Sequence, residues 1–208
     1  MKILNLYAGI GGNRKLWKGV EVTAVELNPQ IAKIYQDFFP NDTVIVADAH
    51  QYLLDHFQEF DFIWSSPPCP SHSRIRLNTA VAKGQSKPVF PDMTLYQEII
   101  FLKHHFNGKW CVENVIAYYK PLIPPKEIQR HYLWANFHIA DIDFKGKKNH
   151  FWTQEDLSKC KGFDISGKDC GHRKDQVLRN CVNSYLGLHI LNESKRNIQP
   201  ELFNSPPV

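Results

Sequence analysis

The sequence predicts a single α/β domain built on a doubly wound, mostly parallel β-sheet with helices on both faces. Two observations support this prediction. Short runs of apolar and β-branched residues alternate with helix-like segments along residues 1–115, as they do in βαβ units. These runs end in a glycine-rich loop, a carboxylate or a cysteine, at the position where such sheets bind ligands.

The first strand, predicted at residues 2–6, leads directly into a loop with three glycines. A strand, a glycine loop and the helix-like residues 13–18 open a βαβ unit of the nucleotide-binding kind, in which glycines let a ligand touch the backbone. The glycine spacing does not fit the dinucleotide fingerprint, so NAD is a poor candidate ligand. The loop provides the first candidate cofactor-binding residues, which are Tyr7, Ala8, Gly9, Ile10, Gly11 and Gly12.

The next two predicted strands each end in a carboxylate. The strand at residues 20–25 ends at Glu26, a helix follows at residues 28–38, and a third strand at residues 43–47 ends at Asp48. A carboxylate at the tip of the second strand is placed to accept both ribose hydroxyls of an adenosine-type ligand. Either acid alone could be a solvated turn residue, but the two acids and the glycine loop together predict a cofactor pocket.

A proline-rich loop with a cysteine follows the fourth predicted strand. The apolar run at residues 60–64 stops before Pro67 and Pro68, because proline supplies no donor to a β-ladder, so Cys69 lies just beyond a strand end. A thiol held on a rigid turn at this edge of a sheet is a candidate nucleophile. The alternative is that Cys69 is a small structural cysteine in a loop.

Residues 71–90 carry positive charge and contain no acidic residue. Their weak hydrophobic periodicity predicts a mobile loop, and their one-sided charge suits a phosphate backbone. A merely solvated loop is the alternative. The candidate nucleic-acid contacts are Ser71, Arg74, Arg76, Lys83 and Lys87.

A helix at residues 93–106 and a strand at residues 109–112 are predicted after this loop. The helix carries Leu95, Ile99 and Leu102 on one side. The strand leads into Glu113, so another carboxylate emerges at the same edge of the sheet as Cys69. Cys69 and Glu113 together form the candidate chemical centre.

The composition is that of an ordinary globular domain. The 208 residues suffice for one full core, with 43% hydrophobic and 22% charged residues. No signal peptide is visible and no apolar run approaches the length of a membrane span, so we expect no membrane partner. Five cysteines without framework spacing favour a reducing compartment, which predicts a cytoplasmic protein. The formal charge of +4 permits a polyanionic partner without indicating one.

Several motifs, taken in order, resemble those of the DNA (cytosine-5) methyltransferase family. They are Tyr-Ala-Gly-Ile-Gly-Gly, Glu-Leu-Asn-Pro, the strand end at Asp48, Pro-Pro-Cys and Glu-Asn-Val. Residues 129–132 resemble the family's arginine-bearing motif, and residues 179–183 resemble its last motif. The compact forms are most similar to short phage-type members. One departure is His131, which stands where many members carry a second arginine.

The resemblance implies a methyltransferase fold of the S-adenosylmethionine-dependent type, with S-adenosylhomocysteine as the product. It implies methyl transfer to C5 of cytosine in double-stranded DNA. Cys69 would add to C6 of a flipped-out base, Glu113 would serve its N3, and Arg130 would be a third catalytic residue. The resemblance adds further candidate cofactor-binding residues, which are Leu27, Ala49, Pro68 and Asn180.

The resemblance also divides the chain. Residues 1–137 would be the cofactor-binding and catalytic domain, residues 138–177 a very short, irregular target-recognition insertion, and residues 178–208 a segment that returns to the core. The insertion contains a polar cluster made of Lys145, Lys147, Lys148, Asn149 and His150. Because few residues remain to read bases, we expect a recognition sequence of about two to four base pairs and salt-dependent binding. A separate recognition subunit is the alternative.

Other functions remain open. The chain could be a non-catalytic subunit of a split methyltransferase, or it could methylate cytosine in RNA. The Pro-Pro-Cys loop also echoes the motif of exocyclic-amino methyltransferases, but cysteine replaces their aromatic residue. We predict no metal site, because Cys160, Cys170, His172 and Cys181 lack the usual spacing of zinc ligands.

Overall fold

The computed structural model describes residues 1–143 and 153–196. Within this part of the chain, seven strands form one sheet: β1 Lys2–Leu6, β2 Glu21–Glu26, β3 Thr43–Val46, β4 Phe62–Ser65, β5 Lys109–Val115, β6 Lys126–Ile128 and β7 His131–Ala135. Their spatial order is β3-β2-β1-β4-β5-β7-β6. Strands β1 to β5 are parallel, and β7 lies antiparallel between β5 and β6. The predicted mostly parallel sheet is confirmed.

The described helices are α1 Pro29–Phe38, α2 Ala49–His56, α3 Arg74–Arg76, α4 Thr94–His105, α5 Gln154–Lys161, α6 Lys174–Asn180 and α7 Ser184–Lys195. They cover both faces of the sheet. Successive side chains of a strand point to opposite faces, so each strand contributes residues to both layers. Leu4 and Ile63 pack with α2 and α4 on one face, whereas Ile3 and Trp64 pack with α7 on the other. The sheet is therefore doubly wound, as predicted.

The central strands are buried along nearly their whole length. All four residues of β4 and the last four of β1 are buried, which is typical of a parallel sheet that is covered on both faces. Burial of these runs requires backbone pairing within the sheet, since buried N–H and C=O groups need partners. This rigid centre holds the carboxyl ends of β1, β2, β4 and β5 at one edge.

The region predicted as an irregular insertion contains a folded helix. Helix α5 has a capping box at Thr153 and Asp156, and it ends at Gly162, whose φ of +68° suits glycine. Leu157 and Phe163 anchor it in an apolar cluster. The capping box and the apolar positions give α5 a regular structure. The predicted polar cluster at residues 145–150 lies outside the described residues.

Three further differences from the sequence predictions are local. Helix α2 was not predicted, although Asp48 caps its first turn. Strands β6 and β7 were also not predicted. The segment at residues 71–90, predicted as a mobile loop, contains the short helix α3, which is capped by Ser73 and continues into a π-helical turn at Leu77–Val81. None of the helices in the described part of the chain has the length and apolar character that crossing a bilayer requires.

Candidate active site

The site lies at the edge of the sheet where the parallel strands end. Leu6 of β1 is in register with Val25 of β2 and with Ser65 of β4, and Ser65 is in register with Val112 of β5. The residues one position further along these four strands are therefore neighbours across the edge. They are Tyr7, Glu26, Ser66 and Glu113.

The glycine loop is held in place by Glu26. One carboxylate oxygen accepts a hydrogen bond from the Gly9 backbone N–H at 2.9 Å, and the other accepts from the Asn28 N–H at 2.9 Å. Tyr7 and Gly9 both have φ of +54°, so the backbone turns sharply here. A side chain on Gly9 would meet no atom within 4 Å, so the loop has an open side. A carboxylate has about four acceptor positions, which leaves capacity for ribose hydroxyls.

The other candidate cofactor residues on this half of the edge differ in their exposure. Leu27 is 67% exposed and Asp48 is exposed, while Ala49 is buried in the core. Asp48 accepts a hydrogen bond from the Gln51 N–H at 2.8 Å and thereby caps α2. An open glycine loop, a free apolar side chain and two acids suit an adenosine-type cofactor. The cofactor contacts of the individual residues stay predictions.

The C-terminal segment closes the back of the glycine loop. A Cβ on Gly12 would lie 2.7 Å from the Val182 carbonyl oxygen and 2.9 Å from the Cys181 side chain. The neighbouring Asn180 is exposed and accepts a hydrogen bond from Gln176. This segment packs against the first loop. A contact between Asn180 and the cofactor stays a prediction.

The loop that carries Cys69 is anchored to the end of β5. The Asn114 side-chain amide donates a hydrogen bond to the Pro67 carbonyl at 3.0 Å. The Cys69 carbonyl accepts from the backbone N–H groups of His72 and Ser73, both at 3.0 Å, which closes the turn. Pro68, predicted to contact the cofactor, is exposed next to the thiol.

The Cys69 thiol is held in its protonated form. Burial, and after it the negative charge of Glu113, raises the pKa of the thiol to about 11. Ser65 of β4 lies beside Val112 of β5, so the Cys69 loop and Glu113 emerge at the same edge of the sheet. Glu113 itself is buried, with 6% of its surface exposed.

Glu113 contacts His131, which was not among the predicted catalytic residues. Its Oε1 lies 2.6 Å from Nδ1 of His131, at the start of β7, and the His131 side chain is 23% exposed. The neighbouring Arg130, predicted as catalytic, is exposed. Arg130 lies in the turn between β6 and β7, whereas His131 is the first residue of β7. The catalytic role of Arg130 stays a prediction.

A buried carboxylate, Glu98 of α4, also went unpredicted. Its Oε1 accepts a hydrogen bond from the Tyr7 hydroxyl at 2.6 Å and lies 3.2 Å from His50 Nδ1, and its Oε2 accepts from the Ser65 hydroxyl at 2.5 Å. The hydrogen bond to Glu98 raises the pKa of His50. Glu98 thus ties the glycine loop, the start of α2 and the end of β4 to one point. Glu98 lies on the same face of α4 as the buried Leu95. An acid on an apolar helical face is the sequence feature that indicates a buried carboxylate here.

The basic segment forms a shallow groove beside the Cys69 loop. Arg74, Lys83 and Lys87 are exposed, and Arg76 is partly buried and donates a hydrogen bond to the Lys87 carbonyl at 3.1 Å. The Ser71 hydroxyl accepts a hydrogen bond from the Asp92 backbone N–H at 3.1 Å. This bond holds the C-terminal end of the segment next to Ser71, which follows Cys69 by two residues. Nucleic-acid contacts by this segment stay a prediction.

The remaining cysteines do not gather into a ligand set. Cys170 and Cys181 are buried in the apolar cluster around α5 and α6, whereas Cys160 is exposed. Across residues 1–143 and 153–196, no three His, Cys, Asp or Glu side chains are grouped as metal ligands.

Comparison with known proteins identifies the family. The model of C-5 cytosine-specific DNA methylases matches residues 1–117. A tRNA (cytosine(38)-C(5))-methyltransferase of Spodoptera frugiperda is 34% identical over an alignment of 80 residues that covers 35% of this chain and 24% of that protein. This chain therefore spans about a quarter of that relative.

Solved structures were also matched. The Entamoeba histolytica methyltransferase EhMeth is 12% identical, with a TM-score of 0.56, over 93% of this chain and 97% of that chain. A mutant of Spodoptera frugiperda DNMT2 is 26% identical with a TM-score of 0.39, over 55% of this chain and 35% of that chain. The likeness to EhMeth shows that the two chains share a fold. Because the family model covers more than half of the chain, including the glycine loop, Cys69 and Glu113, the chain belongs to the C-5 cytosine-specific DNA methylase family, and its cofactor is S-adenosylmethionine.

Proposed function

We propose that the chain methylates C5 of cytosine in DNA through a covalent bond between Cys69 and C6 of the base. The observation that carries this proposal is the placement of Cys69 and Glu113 at one sheet edge, where Asn114, next to Glu113, holds the Pro67 carbonyl of the Cys69 loop. A thiol and a carboxyl group beside each other are the two groups that this chemistry needs. A subunit without catalysis would need neither of them.

The chemistry follows from the weak nucleophilicity of C5. Cys69 gives its proton to solvent water, its Sγ forms a bond to C6, and the electron pair of the C5–C6 double bond moves toward C5. Glu113 supports this step by giving a proton or a hydrogen bond to N3, where charge develops. When bound, S-adenosylmethionine supplies the methyl group that C5 takes up. Water takes the C5 proton, and any proton that N3 has taken up returns to Glu113. Cleavage of the Sγ–C6 bond then restores the C5–C6 double bond and releases the Cys69 thiolate, which regains its proton from solvent.

The substrate proposal is a flipped-out cytosine in DNA. A base inside a stacked duplex cannot reach a thiol at a sheet edge, so it must leave the stack. The exposed Arg74, Lys83 and Lys87 would contact phosphates around it. Phe90 follows them and is 95% exposed, which suits stacking on a nucleic-acid base.

Cytosine in RNA is the second candidate substrate. The relative that matches over 80 residues is a tRNA methyltransferase, although this chain covers only 24% of it. The matching family model describes DNA methylases over 117 residues, which favours DNA. The chemistry at C5 and C6 is identical on both nucleic acids.

The test is to incubate the protein with labelled S-adenosylmethionine and either DNA or RNA, and then to identify the methylated nucleoside. We expect 5-methyl-2′-deoxycytidine from DNA. Labelled 5-methylcytidine from RNA alone would assign the second candidate. No product from a protein that binds S-adenosylmethionine would support a partner-dependent enzyme.

The covalent step has a separate test. A 5-fluorocytosine in the target cannot lose its C5 substituent as a proton, so the Cys69 adduct should survive denaturing electrophoresis. Cys160→Ser, at an exposed cysteine, is the matched control and should form the adduct. Absence of an adduct from a protein that methylates ordinary cytosine would contradict the thiol mechanism.

A further inference from the structure

Residues 153–173, which belong to the predicted insertion, pack on helix α1 and on the glycine loop. Their apolar side chains share one cluster with Ile31 and Ile34 of α1 and with Ile10 of the loop. In the described part of the chain, their hydrogen bonds to residues 1–137 end on side chains that lie between the glycine loop and the end of α1, which are Lys15, Asn28, Gln30 and Asp37. The described part of the insertion is therefore built onto the side of the sheet edge where Glu26 lies.

The turn at residues 169–172 is held against the start of α1. Asp169 accepts hydrogen bonds from the Gly171 backbone N–H at 3.0 Å and from the Gln30 side-chain amide at 3.1 Å. Gly171 has a φ of +60°, and a Cβ at this position would overlap the Gln30 side chain. Glycine adopts this backbone angle readily and leaves room for Gln30. The turn therefore fixes the position of His172, the residue that follows.

The ring of His172 lies beside Asn28, which follows Glu26 by two residues. His172 Nε2 is 3.3 Å from the side-chain amide nitrogen of Asn28. The amide oxygen of Asn28 accepts from the backbone N–H groups of Gln30 and Ile31, so its NH2 group faces the ring. Nε2 is therefore the acceptor in this contact, and the ring hydrogen of the neutral imidazole is on Nδ1. Because the ring is exposed, this Nδ1–H can donate to a bound ligand.

Asn28 also connects His172 to the carboxylate that is proposed to accept ribose hydroxyls. The Asn28 backbone N–H donates to Glu26 Oε1 at 2.9 Å, while its side chain contacts His172. Leu27, between Glu26 and Asn28, is 67% exposed and offers an apolar surface. Adenine carries acceptor nitrogens, and ribose oxygens also accept hydrogen bonds, so an N–H donor at this place suits adenosine.

We propose that His172 is a cofactor-binding residue whose Nδ1–H donates to the adenosine part of S-adenosylmethionine. Residues 169–172 then form the outer rim of the cofactor site. This role differs from the target recognition predicted for the insertion, because a turn that contacts the cofactor reads no bases. The inference rests on the cofactor of the family, and it holds whichever nucleic acid is methylated.

The first experiment uses the whole protein without nucleic acid. Diethyl pyrocarbonate modifies exposed histidine rings, and bound S-adenosylhomocysteine should protect His172 from it. The exposed His104 is the internal control and should react at the same rate with and without S-adenosylhomocysteine. Mass spectrometry of the peptides measures both rates. Equal rates at His172 with and without saturating S-adenosylhomocysteine would overturn the proposal.

The second experiment measures affinity by calorimetry. His172→Ala should weaken binding of S-adenosylhomocysteine by about 2- to 10-fold, because one hydrogen bond between neutral groups is lost. Binding of 5′-methylthioadenosine, which has the adenosine part without the amino-acid part, should fall by the same factor. His104→Ala is the matched control and should bind both compounds as the parent protein does. Unchanged affinities in His172→Ala, or a loss for S-adenosylhomocysteine alone, would contradict the contact with adenosine.

These two readouts need no methylated product, so they separate the inference from the proposed function. Bisulfite sequencing of DNA treated with His172→Ala adds a third readout, and its target sequence should match that of the parent protein. A changed target sequence with unchanged affinity for S-adenosylhomocysteine would assign residues 169–172 to target recognition and overturn the proposal.

Discussion

The sheet edge has two halves. The ends of β1, β2 and β3, proposed to bind the cofactor, are the cofactor half, and the ends of β4 and β5, proposed to bind the base, are the substrate half. The two halves satisfy their polar groups in different ways. In the cofactor half, Glu26 accepts hydrogen bonds from two backbone N–H groups and Asp48 caps α2. In the substrate half, Glu113 contacts the ring of His131, and Cys69 retains its proton. The difference teaches that the cofactor half is shaped by the backbone before any ligand binds. The reactivity of the substrate half depends instead on where protons reside.

Replacing Cys69 should give the largest difference between the effect on methyl transfer and the effect on cofactor binding. In Cys69→Ala, methyl transfer should fall by several orders of magnitude, because the covalent step has no nucleophile. Binding of S-adenosylmethionine should persist, since Glu26 and the glycine loop are untouched. Activity assays and calorimetry on the same preparation measure both quantities. Loss of cofactor binding together with activity would show that the halves are not separable.

Glu98 joins the two halves, because it accepts hydrogen bonds from Tyr7 on one side and from Ser65 on the other. Glu98→Ala should lower the free energy of unfolding by about 3 kcal/mol, since the buried Ser65 hydroxyl and the partly buried Tyr7 hydroxyl lose their acceptor. Urea denaturation measures this loss. The exposed Glu21→Ala is the control and should change stability little. A stability loss of equal size in both variants would remove Glu98 from its proposed bridging role.

Substitutions of Glu26 and Glu113 test whether cofactor affinity and turnover depend on different residues. Glu26→Ala should weaken S-adenosylmethionine binding by about 1.5–3 kcal/mol, because a charged acceptor of ribose hydroxyls is lost. Glu113→Gln should leave this affinity nearly unchanged and lower turnover. Isothermal calorimetry of the two variants decides, and equal losses of affinity would refute the separation of roles.

The smallest expected effect concerns the reactivity of the free thiol. Because the pKa of Cys69 is raised to about 11, its alkylation rate should increase about tenfold per pH unit below that value. Glu113→Gln removes a negative charge that raises this pKa, so Cys69 should react faster at pH 8. Mass spectrometry in a Cys160→Ser background avoids the exposed cysteine. The exposed Glu127→Gln is the matched control, and a slower reaction in Glu113→Gln would reverse the assigned sign.

Much of the fold could be predicted because the signals are local. Strands β1 to β5 are short apolar runs that end in glycine, acid or proline, and the structure has all five near the predicted positions. The adjacency of Cys69 and Glu113 followed from parallel strands ending at one edge. Helix α2 was missed, although Asp48 at its start was already a candidate, because that acid was interpreted only as a ligand.

The details of the site could not be predicted in the same way. Whether Arg130 or His131 faces Glu113 depends on the register of β7 against β5, and a shift of one residue exchanges the two. The partners of Glu98 come from three separate elements, so no sequence spacing brings them together. Only the position of Glu98 beside Leu95 and Ile99 signalled a buried acid.

The glycine loop packs against the last described segment, which is synthesised much later than the loop. Gly12 packs against Val182, and Gly187 of α7 packs against the backbone of Asn13. A ribosome releases the first loop long before α7, so the nascent chain holds the loop without its rear wall. The glycine loop gains this packing only when the α7 residues have emerged. A chain that stops before α7 would therefore carry Cys69 and Glu113 and still lack the segment that packs behind the glycine loop.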